Sequence, residues 1–199
     1  MFARAPKYMT YAEYLAFEQS SAERHEWYDG EIFAMAGGTP EHAYLMAAIT
    51  GELRNLLRGR PCKPFSSDLR LRSMATGLST YSDAAVVCGA VVPHPEDADA
   101  CTNPVVIVEV LSPSTEAYDR GKKFDHYQTF PTLRDYVLVA TGRDHVDHYT
   151  LAPDGGWTRR GYGAGARVSL LGIDVTLEID AIYAGVEDVR TDGAAGARG

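Results

Sequence analysis

The run Val105-Val106-Ile107-Val108-Glu109-Val110-Leu111 decides the fold class. Six of its seven residues are apolar and four are valine, with no alternation, which predicts a strand buried on both faces of a sheet that has helices on either side. Glu109 interrupts it. A lone carboxylate in such a strand costs several kcal/mol unless it is neutralised, paired or coordinated, so Glu109 requires a partner. Upstream, Tyr81-Ser82-Asp83-Ala84-Ala85-Val86-Val87-Cys88-Gly89 predicts a second buried strand with Asp83 at its head. If the two strands pair antiparallel, the head of the first lies beside the end of the second, and Asp83 comes near Glu109 provided that side-chain parity puts them on one face. Two ionised carboxylates at close range repel, and a divalent cation relieves this. Oxygen-only ligation favours Mg²⁺ or Mn²⁺ over zinc.

Downstream, residues 112–131 (SPSTEAYDRGKKFDHYQTFP) predict a loop and then a helix stopped by Pro131. Lys123, Tyr127 and Phe130 fall at i, i+4 and i+7 on one face, whereas Lys122 shares its face with His126 and Thr129. Lys123 therefore points inward, and Asp119, four residues before it, is close enough to hold its ammonium. Two acids around a metal with a lysine beside them suit phosphodiester hydrolysis. The metal lowers the pKa of a water and stabilises phosphoryl charge, while the lysine orients the water. The competing explanations are a plain buried ion pair between Glu109 and Lys123, and an Asp83 that only caps its strand.

The remaining segments fit an α/β domain. Thr10 and Glu13 form a capping box ahead of a first helix, and Asp29-Gly30 between aromatic and apolar runs predicts a β-hairpin. Thr39 and Pro40 open a long amphipathic helix over residues 40–58, whose apolar residues recur at three- and four-residue steps. Asp68–Ser73 alternates like a half-exposed strand, Asp135–Ala140 predicts a buried strand, and Asp144–Ala152 a polar one. More strand and a short final helix follow. The expected architecture is a mixed sheet with the long helix on one face and the Lys123 helix packed nearby, preceded by the N-terminal helix and hairpin. Residues 1–186 form a single domain, and 187–199, rich in Gly and Ala, a disordered tail.

With 199 residues, 45% of them hydrophobic, the chain can bury one substantial core. Its net charge of −8 gives no general attraction to nucleic acid, so any basic contact surface must be local. The stretch Arg54, Arg58, Arg60, Lys63, Arg70 and Arg72, set against Asp68 alone, is the candidate for backbone contact. Cys62, Cys88 and Cys101 are odd in number and widely spaced, and read as reduced thiols. No run approaches the ~18 apolar residues of a membrane span and no signal-peptide core is seen, which makes the cytoplasm the default location. His42 reads as a surface or packed histidine. His145 and His148, three apart on a strand, face opposite ways and make a poor metal pair, and Ser112 and Ser114 lack a nucleophile elbow.

Four stretches in this order carry a resemblance: HEWYDGEIFAMAGG (25–38), YSDAAVVCG (81–89), VVIVEVLSPST (105–115) and YDRGKKFDHYQ (118–128). Over roughly residues 7 to 185 the chain resembles the Uma-type family of restriction-endonuclease-like proteins, within the PD-(D/E)XK nuclease superfamily. The resemblance implies an endonuclease core in which Asp83 and Glu109 hold Mg²⁺ or Mn²⁺ and Lys123 is the working lysine. It also implies a nucleic acid substrate, DNA before RNA, a homodimer, and a further acid from Glu26, for which an exposed strand residue paired across the hairpin is an equal alternative. Two departures stand out. Ser82 replaces the usual proline before the aspartate, and Leu111 stands where the motif lysine falls, so that the lysine comes from the next helix. The alternative reading is a non-catalytic nuclease-fold module for interaction or regulation, which the acidic net charge favours.

Overall fold

A computed structural model describes residues 8–35 and 37–190. The chain opens with α1 (Tyr11–Ser20), the hairpin β1 (His25–Tyr28) and β2 (Glu31–Ala34), and the long helix α2 (Pro40–Leu56). Short strands β3 (Cys62–Ser66), β4 (Arg70–Arg72), β5 (Ser79–Tyr81), β6 (Ala84–Cys88), β7 (Pro93–His94) and β8 (Asp97–Cys101) follow, then β9 (Val106–Val110). Helices α3 (Glu116–Arg120) and α4 (Lys122–Tyr127) lead to β10 (Asp135–Val139), β11 (His145–Leu151) and β12 (Trp157–Gly163). The strands β13 (Arg167–Leu170) and β14 (Val175–Glu178) precede the short α5 (Ile179–Tyr183). No helix among the described residues is long and apolar enough to cross a membrane.

The central sheet has the order β12-β11-β10-β9-β6-β3. Its β9–β10 pair is parallel and joined by the α3–α4 crossover, and its other pairs are antiparallel. Strand alternation divides its side chains between two cores. Ala84, Val86, Val106, Val108, Val137 and Val139 meet Leu45, Ile49 and Leu53 of α2, while Ala85, Val87, Ile107, Tyr136 and Leu138 meet Phe124, Tyr127 and Phe130. The long helix and the Lys123 helix therefore lie on opposite faces of one sheet. A second mixed sheet, β2-β1-β5-β4-β8-β7, packs α1 through Tyr11 and Tyr14.

Local signals act as anticipated at the ends of elements. Thr10 and Glu13 close the capping box, Thr39 accepts the His42 N–H at the start of α2, and Asp29 and Gly30 take φ of 47° and 84° at the hairpin turn. Other expectations change. The run Tyr81–Gly89 is not one strand: it breaks at Ser82-Asp83, where the chain passes from the second sheet into the central one. The helix before Pro131 is two pieces interrupted at Gly121, whose φ of −120° and ψ of −104° leave the helical region. Around β4 the arginines are buried rather than half exposed. Residues 187–190 continue the ordered chain, with Arg190 paired to Glu41 at 2.7 Å and to Asp144 at 2.8 Å, and residues 191–199 of the expected tail lie outside the described residues.

The reading of three reduced thiols is corrected. Cys62 and Cys88 are direct cross-strand partners in β3 and β6 and form a disulfide, leaving Cys101 as a free, buried thiol. Linear spacing hid this, because the two cysteines are 26 positions apart and the chain between them makes a whole excursion into the second sheet. Thiol titration of protein purified without reductant and then unfolded is expected to find one reactive thiol per chain, rising to three after reduction. Reduction is expected to lower stability by about 3 kcal/mol in urea unfolding, the size that closing a loop of this length suggests. Three thiols before reduction would show that the bridge does not form.

Candidate functional site

The candidate site lies where the second sheet meets the crossover face of the central sheet, and five elements build it. Glu109 enters from β9 on the α4 side, since alternation places it with Ile107 and away from Val108 and Val110. Lys123 in the first turn of α4 points back at it, with Nζ 3.0 Å from Glu109 Oε1. The same nitrogen lies 3.1 Å from Oε1 of Glu26, brought in by the hairpin, and 3.8 Å from Oδ1 of Asp119, one turn earlier across the Gly121 break. Lys123, Glu109 and Asp119 are each at most 5% exposed. Asp83 occupies the step between the sheets. Its Oδ2 accepts the Val110 N–H at 2.6 Å, and its own N–H donates to Glu109 Oε2 at 3.4 Å.

Hydroxyl groups steady the acids. Tyr127, one turn after Lys123, donates to Glu109 Oε1 at 2.6 Å, Tyr118 donates to Glu26 Oε2 at 3.2 Å, and Thr80 donates to Glu26 Oε1. One ammonium thus faces three carboxylates, with the fourth, Asp83, beside them. The charge does not balance, and the acids show it. Burial pushes the Glu109 carboxyl up to about 8 against the pull of Lys123, and Asp83 and Asp119 push it further. Burial likewise raises Asp83 and Asp119 above the usual carboxylate range. Burial works against the charge of Lys123 too, but Glu109, Glu26 and Asp119 together outweigh it and hold the ammonium well above its ordinary value.

A further positive charge near Asp83 and Glu109 would reduce this imbalance. Asp83 Oδ1 meets no donor among the described residues, and Glu109 Oε2 meets only the long bond from Asp83 N–H. These two oxygens suit a hard divalent cation that keeps most of its shell as water or substrate oxygen, as Mg²⁺ does. They do not make a closed cage: among the described residues no set of three or more His, Cys, Asp or Glu side chains is arranged to hold an ion by itself.

The other anticipated residues separate. Arg54 and Arg58 are exposed at the end of α2 and the loop beyond, and Arg60 donates to the Asp174 carbonyl at 2.7 Å. Arg70 and Arg72, in contrast, are buried in the second sheet and cannot share a phosphate-contact surface with them. The Arg72 guanidinium lies 3.8 Å from the Tyr11 ring centroid and 4.9 Å from that of Trp27, and Arg70 lies over Tyr14 and Tyr81 with Nη1 3.3 Å from Asp97 Oδ2. His148 is tied to Asp135 at 2.7 Å in the core. His42, which reads in the sequence as a surface or packed histidine, lies at the candidate site: its Nε2 approaches Asp83 Oδ2 to 3.5 Å from the α2 side. Its position just after a helix cap, two layers from Lys123, carries no sequence signal for this meeting.

Comparison with known proteins places the architecture. A solved structure of a protein from Anabaena variabilis, titled a "putative nuclease belonging to DUF820", superposes with a TM-score of 0.73 over 89% of this chain and 99% of that one, at 16% identity, and so shares the fold. Two uncharacterized proteins of Synechocystis are similar in sequence. One, slr1290, is 38% identical over 177 residues, covering 87% of this chain and 90% of its own; the other, sll1609, is 33% identical over 161 residues, covering 79% and 89%. A family model described as "Putative restriction endonuclease" matches residues 11–181, a span that includes every acid and the lysine of the site, and the chain therefore belongs to the Uma2 family.

Proposed function

We propose that the chain is a divalent-metal-dependent endonuclease that hydrolyses phosphodiester bonds of nucleic acid, DNA before RNA, using Mg²⁺ or Mn²⁺. The observation that carries this reading is the buried surplus of carboxylates around Lys123, beside two uncommitted oxygens on Asp83 and Glu109. Membership of the Uma2 family and the shared nuclease-like fold support it. A cation bound to Asp83 and Glu109 would supply Lewis-acid stabilisation of phosphoryl charge and a water of lowered pKa. Lys123, held by Glu26, Glu109 and Asp119, places an ammonium where it can orient the attacking water and meet charge on the phosphate. Tyr127 and Tyr118 fix the acids from behind. Arg54, Arg58, Arg60 and Lys63 are the exposed cations of the basic stretch and are available for backbone contact.

The net charge of −8 favours a second reading, a non-catalytic module on the same fold. Incubation of purified protein with plasmid and single-stranded DNA in Mg²⁺ or Mn²⁺ separates the two. The expected result is cleavage abolished by chelator and by Asp83→Ala, and lowered about 100- to 1000-fold in Lys123→Ala, the usual loss on removing one preorganised charge-stabilising group. Cleavage that persists unchanged in Lys123→Ala would falsify the assigned role.

Metal binding should also depend on pH in a defined direction. With its pKa raised to about 8, Glu109 carries a proton below that value, and a cation must displace it. Mn²⁺ affinity is expected to rise with pH up to about 8 and then level off, with proton release visible by calorimetry in buffers of different ionisation enthalpy. Glu109→Gln should flatten the slope. Affinity that is independent of pH between 6 and 8 contradicts a proton on this acid.

A further inference from the structure

His42 comes from the layer opposite Lys123, yet its ring reaches the edge of the sheet beside Asp83, with Nε2 3.5 Å from Oδ2. That oxygen already accepts the Val110 N–H at 2.6 Å, so the backbone and the ring meet the same atom and leave Oδ1 without a donor among the described residues. With the backbone N–H and the ring both on Oδ2, the carboxylate is restrained and Oδ1 is the oxygen left for another partner.

The ring is itself held from both ends. Thr39 caps α2 by accepting the His42 N–H at 3.2 Å, which fixes the backbone. On the far side the chain at Gly38 lies flat against the imidazole: a Cβ there would fall 2.5 Å from Nδ1 and 2.7 Å from Cγ, closer than real Cβ atoms approach. The three atoms nearest to that position all belong to the His42 side chain. Gly38 is not among the glycines with positive φ, so its backbone does not demand glycine. The missing Cβ makes room for the ring.

We infer that His42 is a positioning residue that holds Asp83 in its metal-binding orientation, and that Gly38 is glycine to seat the His42 ring. This rests on the reading of Asp83 as a metal ligand. An outer partner of a metal ligand typically accounts for 10- to 100-fold in metal affinity. Mn²⁺ binding followed by electron paramagnetic resonance on the full chain tests it, with wild type and Asp83→Ala run alongside. His42→Ala is expected to bind Mn²⁺ about 10-fold or more weakly while its metal-free melting temperature stays near that of wild type. His42→Gln, which keeps an N–H donor of similar reach, is expected to recover part of the loss.

Gly38→Ala is expected to weaken binding by itself, and to add nothing in a His42→Ala background, because the clash disappears with the ring. Wild-type affinity in His42→Ala, or a loss that His42→Gln does not relieve at all, overturns the role of His42. Additive losses in the Gly38→Ala, His42→Ala double variant overturn that of Gly38. Failure of the wild-type protein to bind Mn²⁺ at all overturns the metal reading itself, and this inference falls with it.

Discussion

The burial of the Lys123 ammonium among carboxylates from separate parts of the chain is the constraint around which the rest of the structure is arranged. Glu109 comes from a central strand, Glu26 from the N-terminal hairpin and Asp119 from the helix before the Gly121 break. Removing Lys123 from such a set would leave several buried carboxylates uncompensated, which costs more than an intact pair contributes. The arrangement therefore fixes the hairpin against the crossover helices as firmly as an apolar contact would. It also leaves the cluster with more carboxylates than ammonium groups. Its acids, whose ionised forms burial disfavours, stand beside Asp83 Oδ1, which meets no donor among the described residues, and Glu109 Oε2, which meets only the 3.4 Å bond from Asp83 N–H.

The two-sheet construction explains how so small a protein gathers these groups. The chain leaves the central sheet after β3, builds β4 and β5 in the second sheet, and returns as β6. Asp83 stands at the return, with Thr80 on one side of the step reaching Glu26 and the strand on the other side lying against β9. The Cys62–Cys88 bridge ties the strand before the excursion to the strand after it. Within the second sheet, Arg70 and Arg72 are inserted between aromatic rings, where planar guanidinium groups stack on π-faces and the charge is offset by Asp97. Residues that look in the sequence like a basic surface instead form the interior of the platform that carries the hairpin.

Periodicity made much of the site legible. The unbroken apolar run around Glu109 marked a buried acid, the heptad-like spacing of Lys123, Tyr127 and Phe130 selected the inward lysine over Lys122, and the i to i+4 step placed Asp119 near it. Cap and turn chemistry located α1, α2 and the hairpin, because those signals act within a few residues and need no tertiary partner. The misjudged features are non-local. Counting and linear spacing could not show that Cys62 faces Cys88, that two arginines lie under aromatic rings, or that His42 touches Asp83, since each depends on which strands become neighbours.

By itself the sequence determined which residues had to be buried and which buried ones needed a partner, because alternation, helical period and the cost of desolvating a charge are properties of the chain and its solvent. The tertiary structure alone decided who the partners are. Strand order placed α2 and α4 on opposite faces of one sheet, and the step between sheets at Asp83 put a histidine from one layer and a lysine from the other around the same pair of acids. Such meetings are set by the packing of whole elements, and packing acts between residues that local sequence cannot connect.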